Sequence, residues 1–214
     1  MVYDPRRHHR RSIRLRGYDY AGGGVYYVTI CTLEKDFAFG EVVEGEMLLN
    51  EPGRLMEMAW HSLHDRFTSL VLDAFQVMPN HLHGVFVLPG PGLDPALAKA
   101  TGAPIIQPFE NRRGRPFEPA VGEPDKRQGT ASRPPTRRRT SMGDVVGAFK
   151  SISTIAVNKL LHRIGTRLLH ENFYEHIIRD VGELEAIRDY IIHNPQRWRE
   201  DPENPESPAY TDWV

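Results

Sequence analysis

An α+β sandwich built in the order β-α-β-β-α-β, closed by one further helix, is the fold class the sequence predicts. Three observations predict it. Short runs rich in β-branched and aromatic residues take turns with longer stretches of helical period. Residues that start helices stand at the head of the helical stretches. Two of the strand-like runs are separated by only a Pro-Asn pair, which places a tight turn in the middle of the order.

The elements follow in sequence. Residues 25–33 (VYYVTICTL) come after the glycine-rich AGGG and read as a strand. Residues 41–49 read as a hairpin, VV and EMLL joined by Glu44-Gly45. Asn50 resembles a helix N-cap with Pro52 in the first turn. Leu55, Met56, Ala59, Trp60, Leu63 and Phe67 then recur at helical spacing. Residues 71–78 and 81–88 are two further strands, turned at Pro79-Asn80. Ser141 and Asp144 form a capping-box-like start. Val145, Phe149, Ile152, Ala156 and Leu160 continue it as an amphipathic helix. Residues 173–179 are a short strand. Asp180 caps a last helix, with Glu183 three residues on and Leu184, Ile187 and Ile191 as its buried stripe. Pro195 ends that helix. With the 41–49 hairpin set aside, this is the order of a ferredoxin-like α/β sandwich carrying an added C-terminal helix.

Residues 91–140 interrupt the pattern. They hold nine of the seventeen prolines and five glycines and show neither helical nor strand period. A disordered insertion or long loop is expected there. The rest is expected to form one domain, with 199–214 as an acidic, proline-rich tail.

The chain has 214 residues, 40% hydrophobic and 26% charged, enough apolar material for one core. No apolar run approaches the roughly 20 residues of a membrane span. The basic N-terminus lacks the apolar stretch of a secretory signal. One cysteine, Cys31, excludes an internal disulfide framework and a cysteine-rich zinc site. The expected compartment is the cytoplasm. The net charge of −1 conceals a segregation: residues 1–16 and 91–140 together carry +10, and the remaining 148 residues carry −11. Arginine outnumbers lysine 22 to 5. Guanidinium pairs bidentately with phosphate and stacks on bases, so this bias is compatible with a nucleic-acid partner. It is equally compatible with two solubilising tails.

The strongest local feature is MPNHLHGVFVLP. Side chains alternate along a strand, so His81 and His83 face one way while Leu82, Phe86 and Leu88 face the core. Two imidazoles on one face suit a single metal ion, or are simply two half-exposed histidines. On the last helix Tyr190 and Asn194 are four residues apart and share a face. Tyr190 reads either as a boundary core residue or as a phenolic nucleophile, whose pKa near 10 requires help from a metal. Asn194 reads either as a helix terminator or as a hard amide ligand. The neighbouring His193 points elsewhere at a helix step of about 100°. In NFYEHIIRD, Tyr174 is placed to stack on a base, and His176 and Arg179 to contact phosphate. Their alternative is a solvated sheet edge with an ion pair. Lys150, in GAFKS, is a further candidate for phosphate.

Taken in order, MPNHLHG, FKSISTIAVNKL, FYEHIIRD and YIIHNPQRW, preceded by RSIRLRGYDYAGGGVYYVTICT, resemble the REP-associated tyrosine transposases. These are single-tyrosine members of the HUH endonuclease superfamily. The resemblance runs from about Arg11 to Trp198 and skips the 91–140 segment. It implies that His81 and His83 hold a divalent metal, Mg²⁺ or Mn²⁺, that Asn194 is the third ligand, and that Tyr190 is the nucleophile. It also implies a single-stranded DNA substrate cut next to a hairpin through a 5′-phosphotyrosine, with a free 3′-OH left for strand transfer. Basic surface beside the site would grip the hairpin, and the protein would be nucleoid-associated, as monomer or homodimer. Mixed imidazole and amide ligation suits Mn²⁺ at least as well as Mg²⁺. Two other functions fit the same residues: a non-catalytic hairpin-binding protein, and a metal-dependent phosphoesterase.

Overall fold

The computed structural model describes residues 19–20, 23–101 and 139–210. The basic segment 1–16 and most of the 91–140 insertion lie outside the described residues. Strand β1 (Gly24–Cys31) is buried along its whole length, because it lies in the interior of a four-stranded sheet. A separate two-stranded sheet, β2 (Gly40–Val43) with β3 (Glu46–Leu49), turns at Glu44 and Gly45. Both turn residues have positive φ, 53° and 82°, the geometry that matches the twist of a two-residue hairpin. Helix α1 (Glu51–Arg66) begins where Asn50 accepts a hydrogen bond from the Gly53 amide. Strands β4 (Val71–Val77) and β5 (His81–Leu88) follow, paired antiparallel across the Pro79-Asn80 turn. Helix α3 (Met142–Leu160) starts with the expected Ser141–Asp144 capping box. Strand β6 (Tyr174–Ile178) and helix α4 (Val181–Ile192) complete the order.

The main sheet runs β4-β5-β1-β6 with every neighbouring pair antiparallel. Counting only the four sheet strands in chain order, this is 2-3-1-4, the arrangement of the ferredoxin-like sandwich. The fold class predicted from element order is therefore the observed one.

Both faces of the sheet are covered, and each strand contributes to both by alternation. On one face α1 and α3 enclose Tyr26, Val28, Ile30, Leu82, Phe86 and Leu88. Trp60 sits at the centre of this layer, stacked on Phe75 at 4.7 Å and edge-on to Phe149 at 5.7 Å. Gly84 of β5 makes room for it, since an added Cβ would overlap the Cη2 and Cζ2 atoms of the indole. We expect Gly84→Ala to cost about 1–3 kcal/mol through overpacking. Urea unfolding measures this, and an unchanged midpoint would show that the indole moves aside freely.

On the other face α4 lies over Val25, Tyr27, Val85 and Val87 through Leu184, Ile187, Tyr190 and Ile191. The first part of the 91–140 segment is ordered here, contrary to the expectation of disorder. Residues Pro95–Ala100 form a short helix, α2, with Asp94 accepting from the Ala96 and Leu97 amides. The physical reason is local: Asp-Pro is an N-cap followed by a residue whose φ is already helical. Leu97 is buried in the α4 layer.

A buried ion pair docks α4 on the sheet. Arg188 donates bidentately to Asp73 of β4, with Nε 2.7 Å from Oδ1, and also reaches the Ala100 carbonyl at 3.1 Å. Asp73 is wholly buried, and its hydrogen bonds hold the guanidinium pKa above its ordinary value. Asp73→Ala leaves that guanidinium without its counter-charge, and should cost about 3–5 kcal/mol. Thermal unfolding checks the value. A loss under 1 kcal/mol would mean the pair is dispensable.

Candidate metal centre

The geometry of this centre begins with β5. Met78 and His81 close the turn through a backbone hydrogen bond of 2.8 Å, and the strand starts at His81. Alternation puts His81 and His83 on one face, which proves to be the α4 face, and both are buried rather than half-exposed. Their Nε2 atoms are 2.9 Å apart and so address the same point.

Each ring is held from behind. His81 Nδ1 is 2.9 Å from Asn80 Oδ1. The Asn80 amide nitrogen donates to the carbonyls of Lys35 and Glu203, so its oxygen must be the atom facing the imidazole. An amide oxygen only accepts, hence Nδ1 of His81 carries the proton and Nε2 presents a lone pair. His83 Nδ1 lies 2.9 Å from both the Tyr27 hydroxyl and Thr29 Oγ1. Hydroxyls donate or accept, so His83 can adopt whichever tautomer its Nε2 requires. Burial drives the pKa of His83 down to about 3. Burial first, then His83 and Lys35, hold His81 well below its usual value. Both rings are thus neutral, the form that binds metals.

The C-terminal segment closes the site. After α4, a 3₁₀ turn (Pro195–Glu200) leads to Asp201, whose Oδ2 is 4.0 Å from His81 Nε2. His81, His83 and Asp201 each offer a ligand atom, all within 4.8 Å of one another. Asp201 is buried, and burial pushes its pKa up to about 6. The region expected as an acidic tail therefore supplies a carboxylate to the interior. Glu203 and Asn204 are buried with it.

The structure brings Asn194 and Tyr190 to the same place. Asn194 Nδ2 donates to Asp201 Oδ2 at 2.8 Å. Its Oδ1 is buried without a hydrogen-bond donor among the described residues. A buried acceptor lacking a donor is costly unless something positive satisfies it. Two lone-pair imidazoles, a carboxylate and an orphaned amide oxygen therefore fit a divalent cation. His193 lies outside the cluster, bonded to Asp189 and 40% exposed. The Tyr190 ring packs against His83 at 5.2 Å and 64°, and the residue is 9% exposed.

The remaining candidates fall elsewhere. Tyr174 shares this sheet face one step out, edge-on to Tyr27 at 6.0 Å. His176 is 2.8 Å from Glu183 Oε1, and the Glu183 carboxylate also accepts from the Arg179 amide, so both flank the start of α4. The Arg179 side chain is exposed. Lys150 is on the opposite face of the sheet. Its ammonium donates to the carbonyls of His170, Glu171 and Asn172 and lies over the Phe173 ring at 4.9 Å.

Asp201, Asn80, Tyr27, Thr29 and Trp198 were not singled out from the sequence. Thr29 and Tyr27 carry a usable signal, since they alternate on a strand just as the two histidines do. Asp201 carries none beyond being one acid among several.

Fold and site together define an α+β protein, its sheet covered by helices on both faces, with a buried His-His-Asp group able to hold a metal ion. No family model matches the chain. A Haemophilus influenzae protein described only as uncharacterized is 32% identical over 197 residues, covering 91% of this chain and 92% of that one. The chain belongs to the family of that protein. Among solved structures, a REP-associated tyrosine transposase bound to a REP hairpin matches 87% of this chain and 74% of its own, at 15% identity and a TM-score of 0.48. No helix among the described residues is long and apolar enough to cross a membrane.

Proposed function

We propose that this protein is a metal-dependent, single-stranded DNA endonuclease and strand transferase that acts beside DNA hairpins. The observation that carries the reading is Tyr190 packed against His83, one of a pair of neutral histidines whose Nε2 atoms meet. A phenol buried on a metal-type site is what a covalent phosphotyrosine mechanism needs.

His81 and His83 would hold the ion, with Asp201 or Asn194 as the oxygen ligand. When bound, Mg²⁺ or Mn²⁺ supplies Lewis acidity that draws charge from the phosphate oxygens and favours the phenolate. Asn80 fixes His81, while Tyr27 and Thr29 fix His83, so the ligands need not reorganise. Helix α4 carries Tyr190, Asn194 follows just past its C-terminal end, and the Asp73–Arg188 pair anchors that helix. The Tyr190 oxygen attacks phosphorus and the P–O3′ bond breaks. The departing 3′-oxygen ends as a hydroxyl, the phenolic proton balancing the charge. One phosphoester replaces another, so the step reverses onto a second 3′-OH without an energy source. The two basic segments of the sequence supply charge for the DNA backbone.

Incubation with Mn²⁺ and labelled single-stranded hairpin oligonucleotides, followed by a denaturing gel, tests the reading. A protein-DNA band resistant to denaturation is expected. Its absence across varied hairpins, with binding retained, would leave a hairpin-binding protein.

A further inference from the structure

One aromatic feature lies beyond the residues that the proposed reaction uses. Trp198 projects from the 3₁₀ turn that directly follows Asn194. Its ring lies 6.0 Å from the His81 ring, tilted by 32°. Phe37, from the loop after β1, meets Trp198 at 5.7 Å and 68°. Aromatic rings thus run without a break from Tyr190 through His83, His81 and Trp198 to Phe37 at the surface. Phe37 is 45% exposed and Trp198 is partly exposed.

Two exposed cations adjoin Trp198, with Asp36 beside Phe37 and Glu200 beyond Arg199. Arg197 and Arg199 flank Trp198 in the sequence, and both are exposed. Arg197 is 3.7 Å from Asp189, but both side chains are about half exposed, so that pair is weak and screened. Aromatic faces with arginines on either side in the chain, open to water and leading to the proposed phosphate-cutting site, match one ligand chemistry closely. That ligand is an unpaired nucleotide: a flat base to stack, with a phosphate on each side.

We propose that Phe37 and Trp198 form a stacking corner for a nucleobase next to the scissile phosphate, and that Arg197 and Arg199 hold the phosphates on either side of it. At 68° the two rings make a floor and a wall, so a base lies flat on one ring and meets the other edge-on. Stacking reads no base identity, because every base has a π-face. It does read strandedness, because the base faces of a duplex are already covered. The corner therefore selects an unpaired flank over the hairpin stem. This inference rests on the site being a single-stranded DNA nuclease.

The test is fluorescence anisotropy of the full-length protein in EDTA, which stops cleavage. The probes are a hairpin oligonucleotide with a single-stranded flank, the same hairpin with its flank paired, and versions with one flank nucleotide replaced by an abasic site. Phe37→Ala and Trp198→Ala should each weaken binding of the single-stranded flank about tenfold and leave the paired probe within about twofold. Trp198→Phe should restore most of the loss. At one flank position the abasic replacement should cost the native protein a similar factor and cost the alanine variants nothing further. Native-like Mn²⁺ binding by Phe37→Ala separates stacking from damage to the centre, since Phe37 does not touch the histidines. Equal affinities in native protein and variants, or abasic and alanine losses that simply multiply, would overturn the inference while leaving covalent cutting intact. Failure of the native protein to bind any single-stranded probe would overturn the nuclease reading itself, and this corner with it.

Discussion

Tyr190→Phe is expected to abolish covalent DNA attachment and lower cleavage about a thousandfold or more, while hairpin affinity stays within about twofold. The substitution removes one oxygen and keeps the ring against His83, so packing in the α4 layer is preserved. The binding term should survive because phosphate and base contacts lie elsewhere on the surface. A purely hydrolytic phosphoesterase using the same histidines needs no phenolic oxygen, and water would serve as its nucleophile. Persistence of most cleavage in the Phe variant, with no adduct in the native protein, would select that alternative. A quench-flow series with Mn²⁺ and a denaturing gel distinguishes the two outcomes.

Removing the metal, or either histidine, should have the second-largest effect. Mn²⁺ at about 100 times its Kd should stabilise the native protein by about 2.7 kcal/mol, since the unfolded chain lacks the site. For a chain of this size that is a rise in Tm of about 5–10 °C, reversed by EDTA. His81→Ala and His83→Ala should each eliminate the shift, because their Nε2 atoms share one point. Asp201→Ala and Asn194→Ala should each weaken Mn²⁺ binding about tenfold or more. Whichever oxygen is not a direct ligand still positions the other through their 2.8 Å hydrogen bond. Isothermal calorimetry measures these affinities. A Tm rise of native size in His81→Ala would place the ion elsewhere and remove the centre from the mechanism.

Much of this arrangement was legible in one dimension. The His81-Leu82-His83 alternation is a strand rule, and it held because β5 is a regular strand at that point. The Tyr190–Asn194 spacing is a helix rule; α4 itself ends at Ile192, short of Pro195, but Asn194 keeps helical backbone angles and so still comes to the same place as Tyr190. Helix starts at Asn50, Ser141 and Asp180 follow from side chains that bond nearby amides, an interaction a few residues long. The short helix α2 was missed for an instructive reason. Proline and glycine dominate the composition of 91–140 and mask the Asp94-Pro95 pair, which is a valid start signal. Leu97 then had a partner only because α4 lies beside it.

Other features exist only between distant segments. Asp201 reaches His81 across 120 positions of the chain, and nothing local separates it from the neighbouring acids. Lys150, a candidate for phosphate from its place on the helix after the 91–140 segment, donates to three carbonyls of residues 170–172. Asp73 sits in a strand-like run, and only the docking of α4 explains a wholly buried carboxylate there.

By itself the sequence determined the element order, the helix caps, the facing of the two histidines and the spacing of tyrosine and asparagine. These are properties of a strand or helix with its nearest neighbours, and periods of 2 and 3.6 residues encode them. Only the tertiary structure decided which sheet face meets α4, which carboxylate enters the centre, and which aromatic rings line the way to it. Those choices depend on burial. A charged or aromatic side chain gains its role from what removes water around it, and segments far apart in the chain do that together.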